Sequence, residues 1–463
     1  MPVSAEIDIG FETRRKAVNL DAPGGPFRMA LLGDFSGHAS RGAPRRVTVP
    51  ITIDSGNVGE VMELLDVSTR LTIGGRPVDI SFHSLDDFHP DALQVRLPVF
   101  QSLERLRADV NHSATFSAAA GWLREQLPSA RARSGVNSER GTAAAAQPAL
   151  DPAQAWDSWI GETVASHCEV GAEAGPDEWT AAIDGATGDV MREILSAPAF
   201  RCLESAWRSV SFLLERLASR ADLRIDLIDV AKEELKSLPV IGWSVAACLH
   251  RFAPEPQDCR LLARMAAMGR RANGPVLAEI GVRLAGCGSI ADTPNPDDWC
   301  TPLDEADYTA WRWLRADPDA RWLGLALPRL LLRLPYSRAG GEIACLAFEE
   351  MPSPAHESYL WGSPAVACAC LLGEAFLQRG WNMRPGQMRR LSGLPVHHYR
   401  CNGEKRTVPP AEVWLTEHRA ERILDDGAIP LISLRSSDSL RVLRFQSVAE
   451  PPAPLAGPWE SAS

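Results

Sequence analysis

Residues 27–37 read FRMALLGDFSG. The first six residues are mostly apolar. A Gly/Pro-rich break, DAPGGP (21–26), precedes them, and Gly33 and Gly37 follow. A short apolar run between turn signals reads as a strand entering a glycine turn. On the N-terminal side, VSAEIDIGF (3–11) alternates strictly: Val3, Ala5, Ile7, Ile9 and Phe11 fall on one face and polar residues or glycine on the other. This is the pattern of a half-buried strand. A strand at a free terminus folds back onto its own sheet, the commoner outcome, or pairs with the edge of a neighbouring chain.

On the C-terminal side, RRVTVPITI (45–53) is followed by a short helix, NVGEVMELL (57–65). LDVSTRLTIGGRPVDISF (65–82) reads as two strands joined by Gly74-Gly75, a hairpin dipeptide. SFHSLDDFHPDAL (81–93) comes next, then an amphipathic helix, LPVFQSLERLRADV (97–110), with Phe100, Leu103 and Leu106 at helical spacing. Residues 1–110 thus form a small α/β module. A connecting helix and a flexible, weakly basic linker rich in Ala, Ser, Gly and Arg fill 111–150. A second unit over 151–340 opens with two amphipathic helices split at Pro198, continues with LRIDLIDVAKEEL (223–235) as a strand into a helix, and includes RWLGLALPRLLLRLPYS (321–337) as a buried strand followed by a Pro-bounded helical turn. A third, 341–450, carries the helix SPAVACACLLGEAFLQRG (363–380) and the strand AIPLISLR (428–435). The tail, 451–463, has too much proline and too little apolar pattern for a packed element. The fold class is mixed α/β.

The chain has 463 residues, 45% hydrophobic and 23% charged, ordinary values for a globular protein. A net charge of -11 argues against a nucleic-acid binder with a basic surface. The ten cysteines form no CxxC pair, which fits reduced, mostly buried thiols. No secretory signal opens the sequence and no apolar run is long enough to span a bilayer, so a cytoplasmic protein without membrane insertion is expected.

His83, Asp86, Asp87, His89 and Asp91 have the composition of a metal site. Each acidic residue also has a local task. Pro90 suits the first turn of a helix, Asp91 complements the helix dipole, and Asp86 and Asp87 can bond turn amides. Only the histidines lack a role, so neither a metal nor another cofactor is expected; a metal-dependent enzyme built on His83 and His89 is the weakest of the alternatives. HESY (356–359) lacks the second histidine of a zincin, and no P-loop, dinucleotide fingerprint or nucleophile elbow occurs. Arg329 and Arg333, four apart, would share a face of a helical turn, with Glu349 and Glu350 as acidic partners.

FRMALLGDFSG with Asp34, SLDDFHPDAL with Asp86, Asp87, Phe88 and Pro90, and RLPVFQSLERLR resemble the small subunit of the bacterial type VI secretion contractile sheath. Beyond the linker the chain resembles the large sheath subunit. The stretches are PAFRCLESAWRSVSFLLERL with Trp207, LRIDLIDVAKEEL, YTAWRWLRADPDARWLGLALPRLLLRLPY, FEE, HESYLWGSPAVACACLL with Trp361, LPVHHY and AEVWLTEHRAERILDDGAIPL. They run collinearly over most of 27–450. The resemblance implies a sheath-protein core related to phage tail sheaths, with both subunits fused. It also implies assembly with other sheath subunits around an inner tube protein, contacts with baseplate components, strand exchange between neighbours, and disassembly by a hexameric AAA+ ATPase. The large subunit normally continues beyond a segment such as RVLRFQSVAEPP, so a cap, baseplate-proximal or adaptor role is the alternative to a bulk sheath subunit.

Overall fold

The computed structural model describes residues 25–45, 47, 49–134, 152–168, 173–217, 222–239, 241–338, 343–344, 348–401 and 403–460. The strands are β1 (Phe27–Gly33), β2 (Ile51–Ile53), β3 (Ser68–Ile73), β4 (Arg76–Ser81), β5 (Leu223–Asp229), β6 (Val245–Phe252), β7 (Val276–Ile280), β8 (Leu323–Leu327), β9 (Leu330–Leu331), β10 (Trp361–Gly362), β11 (Arg390–Leu391), β12 (His397–Cys401), β13 (Glu404–Val408), β14 (Ile429–Ser433) and β15 (Leu440–Val442). The helices are α1 (His38–Arg41), α2 (Val58–Leu65), α3 (Pro90–Arg96), α4 (Pro98–Asn111), α5 (Phe116–Ser134), α6 (Pro152–Ser166), α7 (Pro176–Ser196), α8 (Pro198–Leu217), α9 (Pro256–Ala272), α10 (Glu305–Arg315), α11 (Pro364–Arg379) and α12 (Glu417–Asp425). Many open on proline, whose missing N–H costs nothing in a first turn.

A nine-stranded sheet, in the order β11-β15-β14-β8-β7-β6-β1-β5-β2, organises the molecule. From β14 to β5 every pairing is parallel; the marginal pairings, β5–β2, β14–β15 and β15–β11, are antiparallel. Segments 1–110, 151–340 and 341–450 each contribute strands to it. Interior parallel strands are covered on both faces, which is why β1 is a nearly continuous apolar run rather than an alternating one. Phe27, Met29 and Leu31 join the core beneath α7, α8 and α11, while Ala30 and Leu32 join the opposite core beneath α9, α10 and α12.

The two helices around Pro198 and the β3–β4 hairpin appear as the sequence leads one to expect. Gly74 and Gly75 both have positive φ, 56° and 79°, as the tight turn demands. The alternating segment 3–11, with Val3, Ala5, Ile7, Ile9 and Phe11, lies outside the described residues. Four expectations need correction. α5 continues through Ser134 into the stretch read as linker, since SARARS is made mostly of residues a helix tolerates well. LRIDLIDVAKEEL turns after its strand into a 3-10 helix over Lys232–Ser237, not an α-helix. LPRLLLRLPY is extended: Pro328 and Pro335 bracket it, and β9 pairs with β10 in place of a helical turn. The proline-rich tail is packed as far as Glu460. Leu455, Ala456 and Trp459 are buried, Ala456 N donates to Arg321 O (2.8 Å), and Arg321 pairs with Glu460. Proline bars regular secondary structure there but not burial of the few apolar side chains.

Trp459→Ala is therefore expected to cost about 3–5 kcal/mol in urea unfolding, the usual penalty for emptying a buried aromatic site. A change within about 0.5 kcal/mol, typical of an exposed position, would show that the tail does not pack.

Candidate functional site

The turn after β1 is tied to the end of β5 by a buried ionic knot. Asp229, the last residue of β5, accepts hydrogen bonds from the backbone N–H groups of Phe35 (2.8 Å) and Ser36 (3.0 Å) and from Ser36 Oγ (2.8 Å). Asp34 accepts from His38 N and Ala39 N, filling the donors at the start of α1. The His38 ring sits among three carboxylates: Nδ1 lies 2.8 Å from Asp34 and 3.4 Å from Asp229, and Nε2 lies 3.0 Å from Glu234. Burial works against the imidazolium, but the bonds to Asp229 and Asp34 outweigh it and raise the His38 pKa to about 10. For Asp34, burial is outweighed in the same way by His38, and its pKa is lowered. Asp34, His38 and Asp229 are spaced as metal ligands would be. The two carboxylates are, however, already engaged by N–H and O–H donors.

The same seam is closed on its apolar side by Trp207. This fully buried residue donates from Nε1 to Phe35 O (2.9 Å) and meets the Phe35 ring edge to face at 6.0 Å. Gly37 (φ 72°) lets the turn pass so close to β3 that a Cβ would stand 2.1 Å from Ser68 O. Across the sheet, Asp226 of β5 accepts from Arg28 of β1 (2.7 Å) and Thr52 of β2 (2.7 Å).

A second knot joins α8 to the segment after β9. Arg333 forms two-pronged pairs with Glu204 (2.7 and 3.1 Å) and with Glu350 (2.7 and 3.0 Å). Arg208 adds a bond to Glu204 (2.7 Å) and another to Tyr336 Oη (2.7 Å), and the Tyr336 ring lies 4.0 Å from the Arg333 guanidinium. Burial pushes the Glu204 carboxyl up, but Arg333 and Arg208 outweigh it and hold the group below the usual range. Burial pushes the Tyr336 phenol up to about 12. Arg329 does not share this site. It donates to Glu412 (2.7 Å), whose carboxyl is lowered to about 2 because His356 and Arg329 overcome the effect of its burial.

The expected Arg329–Arg333 face therefore does not exist. In an extended segment the two side chains reach different acids, and Glu349 is not a partner of either: it is exposed, and its backbone carbonyl accepts from Arg192. Asp87 accepts from His83 N and Ser84 N and pairs with Arg96 (2.9 Å). Asp86 is exposed. Phe88 stacks on Phe82 at 4.1 Å, and Pro90 starts α3. His89 Nδ1 accepts from Asp91 N (3.2 Å), capping α3, and its ring meets Tyr336 edge on; this is the role the sequence did not assign. His83 is exposed and its side chain joins none of these bonds. Trp361 donates to His356 O (2.9 Å), and its carbonyl accepts from Ser205 Oγ on α8. The knot residues the sequence reading missed are His38, Asp229, Glu234, Glu204, Arg208, Tyr336 and Glu412. Glu204 did leave a signal: it is a charge on the apolar face of α8 that also carries Phe200, Leu203 and Trp207.

In this layered α/β protein both buried knots bind one chain segment to another. Comparison with known proteins identifies the family. The VipB family model, described as EvpB/VC_A0108, tail sheath N-terminal domain, matches residues 177–238 and 242–449, more than half of the chain. A second model, Type VI secretion system, VipA, VC_A0107 or Hcp2, matches residues 7–126. The chain belongs to the type VI secretion tail sheath family, with a VipA-like region fused ahead of a VipB-like one. It is 28% identical over 302 residues to the type VI secretion system sheath protein TssC1 of Pseudomonas aeruginosa, a match covering 58% of this chain and 61% of that protein. Among the described residues, no helix is long and apolar enough to cross a membrane.

Two outcomes follow from the knots. Arg333→Met leaves Glu350 without its guanidinium and Glu204 with Arg208 alone, and is expected to cost about 3–5 kcal/mol; adding Glu350→Gln should recover part of that in equilibrium denaturation. The His38 contribution is fully present below the ordinary value of 6.5 and is lost as pH rises through about 10. The unfolding free energies of wild type and His38→Gln should therefore converge over that window. A gap that stays constant across it would show that the imidazole is not charged in the native state.

Proposed function

We propose that the protein is a structural subunit of a type VI secretion contractile sheath, acting in the bacterial cytoplasm without catalytic activity. It joins other sheath subunits, of its own or a homologous kind, in a tube around the inner tube protein and drives export when the tube contracts. The observation that carries this reading is the position of β1. A strand from the VipA-like region lies between β5 and β6 of the VipB-like region, paired with both along most of its length. A separate small subunit is thus not needed to complete this sheet, and fusion supplies the two sheath components in fixed proportion. Contacts with baseplate components and with an AAA+ disassembly ATPase extend the same reading. So does the division at 110, 150, 340 and 450, taken as the small-subunit-like and large-subunit-like segments of the chain.

The test is electron microscopy of the full-length protein, alone and co-expressed with sheath subunits from the same cell. Helical tubes containing this chain along their length are the expected result. Decoration of tube ends alone would assign it to a cap instead. Failure to enter any sheath assembly, or to co-purify with one, would overturn the proposal.

A further inference from the structure

The winding of the parallel sheet reverses at β1. The chain returns from β1 to its neighbour β5, crosses over β1 to β6, and then steps outward on the other side through β7 and β8. At such a reversal the connections leaving adjacent strands diverge, and a crevice opens beyond their carboxyl ends. Here it is a cavity of about 570 Å³. Gly33 and Asp34 at the end of β1 line it, as do Leu249 of β6, the first turn of α8, and Leu360 and Trp361. Its volume falls in the range that accepts a small organic molecule.

A second cavity of about 330 Å³ shares Lys232 and Glu233 with the first. Its charge balance is different: the larger cavity sets Arg201, Arg251 and Arg329 against Asp34, Glu279 and Glu357 beside its apolar wall, whereas the smaller one is mainly cationic. Lys236, from the 3-10 helix that follows β5, faces it together with Arg260 and Arg264, which lie one turn apart on α9. Lys232 is neutralised by Asp258 at 2.9 Å. No ion pair among the described residues engages Lys236, Arg260 or Arg264, and Glu233 is the one remaining acid in the lining. The chain as a whole carries a charge of -11, so a concave cationic wall runs against its general electrostatics. Like charges gathered on a concave surface repel one another unless an anion sits between them.

We propose that the two cavities form one binding site for a phosphate-bearing small molecule of mononucleotide size. The phosphoryl groups lie against Lys236, Arg260 and Arg264, and an apolar or aromatic body enters the larger cavity against Leu249, Leu360 and Trp361. An acidic peptide is a poorer fit, because the cationic stretch on α9 spans only the turn from Arg260 to Arg264 and shares Lys232 and Glu233 with the larger cavity. Inorganic polyphosphate carries the same phosphoryl chemistry, so the test separates it from a nucleotide.

The full-length protein is titrated calorimetrically with ATP, with inorganic tripolyphosphate and with adenosine. ATP should bind in equimolar amount and at least ~10-fold more tightly than either fragment, since it alone fills both cavities. Arg260→Glu combined with Arg264→Glu should weaken ATP at least ~10-fold through loss of charge-assisted hydrogen bonds, with an unchanged melting temperature. Trp361→Leu should weaken ATP while leaving tripolyphosphate unaffected. The proposal is overturned if ATP shows no saturable binding or binds no better than tripolyphosphate. It is equally overturned if ATP affinity is indifferent to the charge reversal, or if polyglutamate displaces ATP at comparable concentration.

Discussion

Everything else in the molecule rests on the burial of β1 on both faces. A strand in the middle of a parallel sheet must present apolar side chains to both helical layers and pair its backbone on both edges. β1 does so with seven residues, matched in register to β5 over Phe27–Gly33 and to β6 over Met29–Leu32. Removing it would leave two interior strand edges unpaired and open both cores at once. Through β1 the VipA-like region thus enters the middle of the sheet rather than being an appendage.

The ionic knots make this arrangement specific. Apolar burial is non-directional and would tolerate a slipped strand. Asp229 would not, because it collects Phe35 N, Ser36 N, Ser36 Oγ and His38 at one point. Arg333 plays the corresponding part between α8 and the segment after β9. The cost of desolvating these charges is large, and pairing offsets it only when the geometry is right. Such groups therefore contribute less to total stability than to the choice of a single register. A slipped pairing would leave a buried charge without a partner.

Local features were the legible ones. The apolar run of β1, the helices on either side of Pro198, the Gly74-Gly75 hairpin and the helix after Ser363 all follow from periodicity and turn chemistry within a few residues. The collinear motifs identified the family. The ionic partners were not legible, because they are distant in sequence: His38 and Glu234 stand 196 residues apart, and Glu204 and Arg333 stand 129 apart. Arg329 and Arg333 misled because spacing of four implies a shared face only if the backbone is helical, and two prolines keep it extended. Trp459 was missed because composition reports the absence of a regular element, not the absence of a contact.

The central claim is that the VipA-like and VipB-like regions fold as one cooperative sheet through β1. Native-state hydrogen exchange, read amide by amide, tests it most directly. If the claim holds, the amides of Ala30, Leu31 and Leu32 exchange only through global unfolding, with the same opening free energy as those of Leu227 in β5 and Ala247 in β6. Exchange of the β1 amides through a separate opening of lower free energy, while β5 and β6 remain protected, would contradict it.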